Sequence, residues 1–177
     1  SVPALAALLP DPAFCEPAAR ALLRIRTSNA VAALAKALPA ATPETLATLI
    51  QALGVIRHKP SVPAILKHAN SKDDRVRRAA LDALANIGDH AAAEALAKAA
   101  QATKPYERAM ATENCLLFAQ RLADAGNKDA CAKICRDLIK TRTAPREINV
   151  PCAALRTLVQ AQGPPALPDL LAAAHSP

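Results

Sequence analysis

The stretch Asp73-Asp74-Arg75-Val76-Arg77-Arg78-Ala79-Ala80-Leu81-Asp82-Ala83-Leu84-Ala85-Asn86-Ile87-Gly88 makes the rest of the chain readable. Val76, Ala80, Ala83, Leu84 and Ile87 fall at i, i+4, i+7, i+8 and i+11, which is one apolar stripe of an α-helix. Asp73 or Asp74 stands where an N-cap acceptor is wanted, and Gly88 where a left-handed C-cap is wanted. The same stripe reads upstream as Thr45, Leu49, Ala52, Leu53 and Ile56, and again as Phe14, Ala18, Ala21, Leu22 and Ile25.

A second helix precedes each of these. Val2-Pro3-Ala4-Leu5 recurs as Val31-Ala32-Ala33-Leu34 and as Val62-Pro63-Ala64-Ile65; Ala92-Ala93-Glu94-Ala95 and Pro165-Ala166-Leu167-Pro168 are weaker copies. The period is about 30 residues, near that of two-helix repeat units. Pro3, Pro43, Pro63 and Pro105 fall where a helix starts, the position at which a missing N–H does no harm, and Pro12, Pro39 and Pro60 read as connections. Pro17 fits less well: either its helix begins near Glu16, or Pro17 lies in the first turn and Phe14 precedes the helix.

Composition supports an all-helical reading. Alanine supplies roughly a quarter of the 177 residues, and aromatics only 2%. Alanine fills little space but lets helix backbones approach closely, which suits stacked hairpins better than one broad core. No apolar run is long and charge-free enough to span a membrane, and no signal peptide is visible. With four isolated glycines there is no phosphate loop and little scope for a nucleotide-binding α/β domain.

The expected fold is therefore all-α: a right-handed α-α superhelix, or solenoid, of about five helical hairpins in a single domain over 1–177. The units are 1–26, 29–57, 60–88, 89–125 and 127–161, with 164–174 an incomplete helix of a further unit. The helix from Pro105 to about Ala125 is too long for the short template, so pitch or curvature should change near residue 104.

Ser61-Val62-Pro63-Ala64-Ile65 followed by Asp73 to Gly88 resembles a HEAT repeat, and the short unit is also similar to the bacterial lyase-type variety. The resemblance is clearest over 61–88, fair over 2–56 and weak after 104. It implies that Asp73 and Arg77 belong to an inter-repeat ladder. That ladder is interrupted, since Cys15 stands at the Arg77 position in the first unit and Thr42 and Leu46 at the two ladder positions in the second. It implies a non-catalytic scaffold, a piece of a larger protein, that mediates protein–protein interaction as a monomer. The alternative is a nucleic-acid-binding, glycosylase-like relative; a lyase-type subunit acting on a bilin protein would need a chromophore pocket that the sequence does not indicate. The chain is either cytoplasmic or part of a larger exported bacterial protein, and the sequence leaves this open.

Second helices line the concave face of such arrays. Their non-stripe positions align as Arg20, Gln51 and Asp82, then Arg24, Val55 and Asn86, with Glu16, Ala47 and Arg78 one turn before. These rows mix signs, which fits a protein or peptide partner. Basic clusters occur at Arg57, Lys59, Lys67, Lys72, Arg75, Arg77 and Arg78 and again at Lys128, Lys133, Arg136, Lys140, Arg142 and Arg146. They are the hint of phosphate binding, but aromatic side chains for base stacking are nearly absent.

No catalytic residue, metal ligand set or cofactor site is expected. His58, His68, His90 and His175 are scattered without a nucleophile partner. Cys15, Cys115, Cys131, Cys135 and Cys152 contain no CxxC motif and read first as buried thiols, although three antiparallel helices would also permit one bridge, Cys135–Cys152 or Cys115–Cys135.

Overall fold

The structure, a computed structural model, describes residues 1–174. Among the described residues every regular element is a helix. Two compact units divide the chain, Ser1–Ala95 and a second that begins at Leu96. The first contains α1 (Val2–Leu8), α2 (Pro12–Ile25), α3 (Ser28–Ala37), α4 (Pro43–Val55), α5 (Val62–Leu66) and α6 (Asp74–Ile87), and α7 (Ala93–Ala99) starts within it. The second contains α8 (Pro105–Asp124), α9 (Lys128–Thr141), α10 (Asn149–Gln162) and α11 (Leu167–Ala174).

Local chemistry sets the helix limits. Asp73 accepts from the amides of Arg75 and Val76 at 2.8 and 3.2 Å, so it, and not Asp74, is the cap of α6. Thr42 and Thr45 form a reciprocal capping box at the start of α4. Asp11 accepts from the amide of Ala13 at 2.9 Å, which starts α2 at Pro12. Pro12 is thus a first-turn proline and not a linker, and Pro17 lies inside the helix on its exposed side. A proline there removes one backbone bond at a cost of about 3 kcal/mol, which the strong Asp11–Pro12 start and the buried face of α2 offset.

That buried face differs from the stripe expected for the first unit. Cys15, Ala18, Ala19 and Leu22 are the buried residues of α2, whereas Phe14 is 50% and Ile25 40% exposed. Phe14 and Ile25 occupy the repeat positions of Val76 and Ile87, both buried in α6. The repeat position is kept, but on α2 that side stays partly open to solvent.

In the first unit the second helices α2, α4 and α6 pack in sequence, and α1 and α3 cover α2 while α5 covers α6. The chain returns through α3 between α2 and α4, so these two run the same way. Their N-terminal ends meet where the Cys15 thiol lies 4.0 Å from the Thr45 carbonyl oxygen. The C-terminal ends of α4 and α6 meet at Gly54. A Cβ at Gly54 would stand 2.7 Å from both Cα and Cβ of Ala83, and the Asn86 amide donates to the Gly54 carbonyl at 3.1 Å. Leu22, Leu34, Leu49, Ile50, Leu53, Ile65 and Leu84 fill the core.

The second unit relies more on charge. α8, α9 and α10 pack on one another around Phe118, Leu122, Leu138 and Leu158. Arg142, 5% exposed, follows α9 and donates to Thr112 Oγ1 at 3.0 Å and to the Ala100 carbonyl at 2.6 Å. Arg108 on α8 donates to Glu147 at 2.6 and 3.3 Å and to the Thr141 carbonyl at 3.3 Å, and Glu147 also lies 3.8 Å from Arg142. Burial and the neighbouring Arg108 charge both oppose the Arg142 cation, and Glu147 offsets them.

Two expected outcomes follow from this packing. Gly54→Ala gains helix propensity but drives a methyl into the backbone of α6, so it should lower the unfolding free energy by about 1–3 kcal/mol in urea titrations. The hydrogen bond from Arg108 holds the Glu147 carboxyl below its ordinary value. A depressed carboxylate contributes stability at neutral pH that is lost as pH falls from the unfolded value of about 4.3 through the folded one. Glu147→Gln should therefore destabilise at pH 7 by about 3 kcal/mol, because Arg142 loses its counter-charge, and should flatten the acid limb of the stability curve measured by chemical denaturation.

Candidate partner-binding face

The side chains singled out from the repeat alignment lie on α2, α4 and α6, within the first unit. Glu16, Arg20, Arg24, Gln51 and Arg78 are exposed, and Asp82 and Asn86 are half-buried. Glu16 and Arg20 form an ion pair one helical turn apart. Asn86 reaches across to the Gly54 carbonyl and so links α6 to α4. Arg78 Nε donates to the Asp74 carbonyl at 3.1 Å. Val55, aligned with Arg24 and Asn86, is 56% exposed and gives the face an apolar spot. Ala47 is buried against the core, so the row through Glu16 and Arg78 is interrupted at α4.

Asp73 spends its carboxylate on capping its own helix. Arg77 donates to the Ser71 carbonyl at 2.9 Å and to Asp74 at 2.7 Å, two bonds that brace the turn before α6. Sequence pattern located both residues through their position in the repeat, but gave no sign of these local partners.

Two of the six members of the second basic cluster, Arg136 and Arg142, are held by internal partners, as is Arg108 on α8. Arg136 makes a two-pronged pair with Asp169 at 2.9–3.3 Å and also donates to Gln162, which ties α9 to α11. Arg142 is buried and Arg108 is held by Glu147. A phosphate backbone needs cations free to exchange counterions, and these three are committed to carboxylates and carbonyls.

All five cysteines are free thiols. Cys131 and Cys135 are fully buried with their sulfurs 4.0 Å apart, so the near neighbour of Cys135 is Cys131 on its own helix. Cys152, considered above as its bridge partner, is exposed. Burial pushes the Cys115 thiol up to about 11, against the pull of the Arg142 charge, and its Sγ sits 3.8 Å from the Leu96 carbonyl. The hydrogen bond with Cys131, and then burial, push Cys135 up as well. Neither thiol is disposed to act as a nucleophile at neutral pH. His58 Nδ1 lies 2.8 Å from Ser61 Oγ within one turn of chain, and His175 falls outside the described residues. Among the described residues no group of three His, Cys, Asp or Glu is placed to hold a metal ion, and no helix is long and apolar enough to cross a membrane.

Comparison with known proteins gives a consistent result. The family described as HEAT repeats matches residues 31–116. Among solved structures, the crystal structure of an engineered protein, a structural-genomics target, is similar over 96% of this chain and 88% of its own, with a TM-score of 0.54 and 22% identity. That likeness concerns the fold. No curated protein matches the chain. HEAT repeats generally serve as protein-interaction scaffolds and are typically non-catalytic. The chain is an all-helical repeat protein whose residues 31–116 carry the HEAT-repeat pattern.

Proposed function

We propose that this protein is a non-catalytic scaffold that binds a protein or peptide partner on the face made by α2, α4 and α6. One observation carries the reading: Arg20, Arg24, Gln51, Val55 and Arg78 stand exposed on three successive second helices whose backbones are fixed by the Gly54–Ala83 and Cys15–Thr45 contacts. Rigid helices that present adaptable polar side chains around an aliphatic spot suit a protein surface, because little backbone ordering entropy is lost on docking. In two-helix arrays these helices line the concave side. Glu16, Asp82 and Asn86 complete the face, with Asp73 and Arg77 as structural supports of the repeat. The protein acts as a monomer and needs no cofactor or metal in this role.

Site-specific photo-crosslinking tests it. A photoreactive residue at position 51 should capture a protein partner in extracts of the native host, and the same residue in place of exposed Lys36 on α3 should not. Arg20→Glu combined with Arg78→Glu should abolish the capture. Equal capture from both positions, or none from position 51, overturns the face as a binding surface.

A further inference from the structure

We propose that the C-terminal ends of α2 and α4 form a recognition site for an acidic peptide, with Arg26 and Arg57 as paired carboxylate anchors. This deepens the scaffold reading and rests on it.

The observation behind it is a repeated departure from helix-ending chemistry. Residues 26, 57 and 88 occupy the same repeat position, and all three have positive φ: 53° at Arg26, 52° at Arg57 and 70° at Gly88. After α4, the amides of Arg57 and His58 return to the carbonyls of Gly54 and Leu53 at 3.0 Å, a motif whose left-handed residue is ordinarily glycine. Two of three repeats place arginine there, in a conformation that side chains bearing a Cβ adopt only against strain. Such strain points to use of the residue for something other than folding. Attraction to the helix end does not require it, since Arg24 offers a cation near the same carbonyls from ordinary helical geometry.

Both arginines are exposed. Among the described residues neither Arg26 nor Arg57 has a side-chain partner, and Arg24 and Lys59 are likewise uncommitted. Arg20 and Arg77, by contrast, are paired with Glu16 and Asp74. Between Arg24 and Ser61 the sole acidic residue is Glu44, at the opposite end of α4. The ends of α2 and α4 are therefore basic in their own sequence, and Asp89, just past α6, has its carboxylate turned to the Ala91 amide at 3.0 Å.

Spacing and neighbours select the ligand. α2 and α4 run in the same direction, have 14 and 13 residues, and meet at their N-terminal ends, so their C-terminal ends finish side by side. Packed helices lie about 8–10 Å apart, close to the reach of three residues of extended peptide. Carboxylates at that interval could each take a two-pronged guanidinium bond. Ile25 and Val55, both exposed, offer contact for an aliphatic side chain between the acids. A nucleic acid would want a continuous track and stacking aromatics, and Phe14, Tyr106 and Phe118 all lie away from this edge in the sequence.

The test uses the full chain and a short fluorescein-labelled peptide with glutamate at every third position and leucine between, with a glutamine-for-glutamate peptide and a single-stranded oligodeoxynucleotide as comparisons. Fluorescence anisotropy should show binding of the glutamate peptide alone. Arg26→Gly combined with Arg57→Gly should weaken that binding about tenfold or more. The same double variant should raise Tm by about 2–4 °C, because glycine relieves the positive φ. Unchanged peptide affinity in the double variant, tighter binding of the oligodeoxynucleotide, no peptide binding, or a lowered Tm each overturns the proposal. The scaffold reading is scored separately through Arg20→Glu combined with Arg78→Glu, which lie outside the edge. Loss of the position-51 crosslink in that pair, with no effect of the double glycine variant on either readout, would leave the face standing and remove the edge.

Discussion

The near-contact of α4 and α6 at Gly54 and Ala83 governs the first unit. With no side chain on one partner and a methyl on the other, the two backbones approach closely enough for Asn86 to bond the Gly54 carbonyl directly. Dispersion and apolar burial over such a seam grow with close approach, which explains why an alanine-rich chain with few aromatics can still form a dense interior. It also explains why the exposed faces and ends of α2, α4 and α6 are so well defined. Helices that meet this closely have little freedom to slide, so residues at equivalent repeat positions become neighbours in space.

The two units are held by different means. In the first, Leu22, Leu49, Leu53, Ile65 and Leu84 interdigitate while alanine and glycine set the separations. In the second, the apolar layer around Phe118 and Leu158 is supplemented by Arg142, Arg108 and Glu147, and by Arg136 with Asp169. The 20-residue α8 of the second unit departs from the short hairpin template, and the family match ends within it at residue 116.

Much of the fold could be read from residue order because three signals agreed at one place: the Val76–Ile87 stripe, the Asp73 cap and Gly88. The same signals failed in part at α2. Phe14 and Ile25 have the right spacing, but burial depends on whether another helix covers that side, and spacing carries no such information. At Pro12 a linker proline and a first-turn proline look alike in sequence, because the turn before α2 is very short. Arg142 read as one more surface cation, since its acceptors lie 30 and 42 residues away in sequence. The shared position of Arg26, Arg57 and Gly88 was open to discovery by aligning the units one residue past each stripe. What sequence could not supply there was the backbone conformation that makes the arginines unusual.

The buried Arg142 has a consequence for motion. Its guanidinium takes acceptors from the segment after α7, from α8 and from Thr141, with Glu147 close by. Withdrawal of any one strand of this web leaves a cation partly desolvated with too few partners, which is steeply unfavourable. Fraying by small steps is therefore suppressed in the stretch from Ala100 to Glu147, and opening there is cooperative. Amide protons across that stretch would exchange with solvent as one block, whereas the ends of α2 and α4, open to water on one side, would exchange piecemeal.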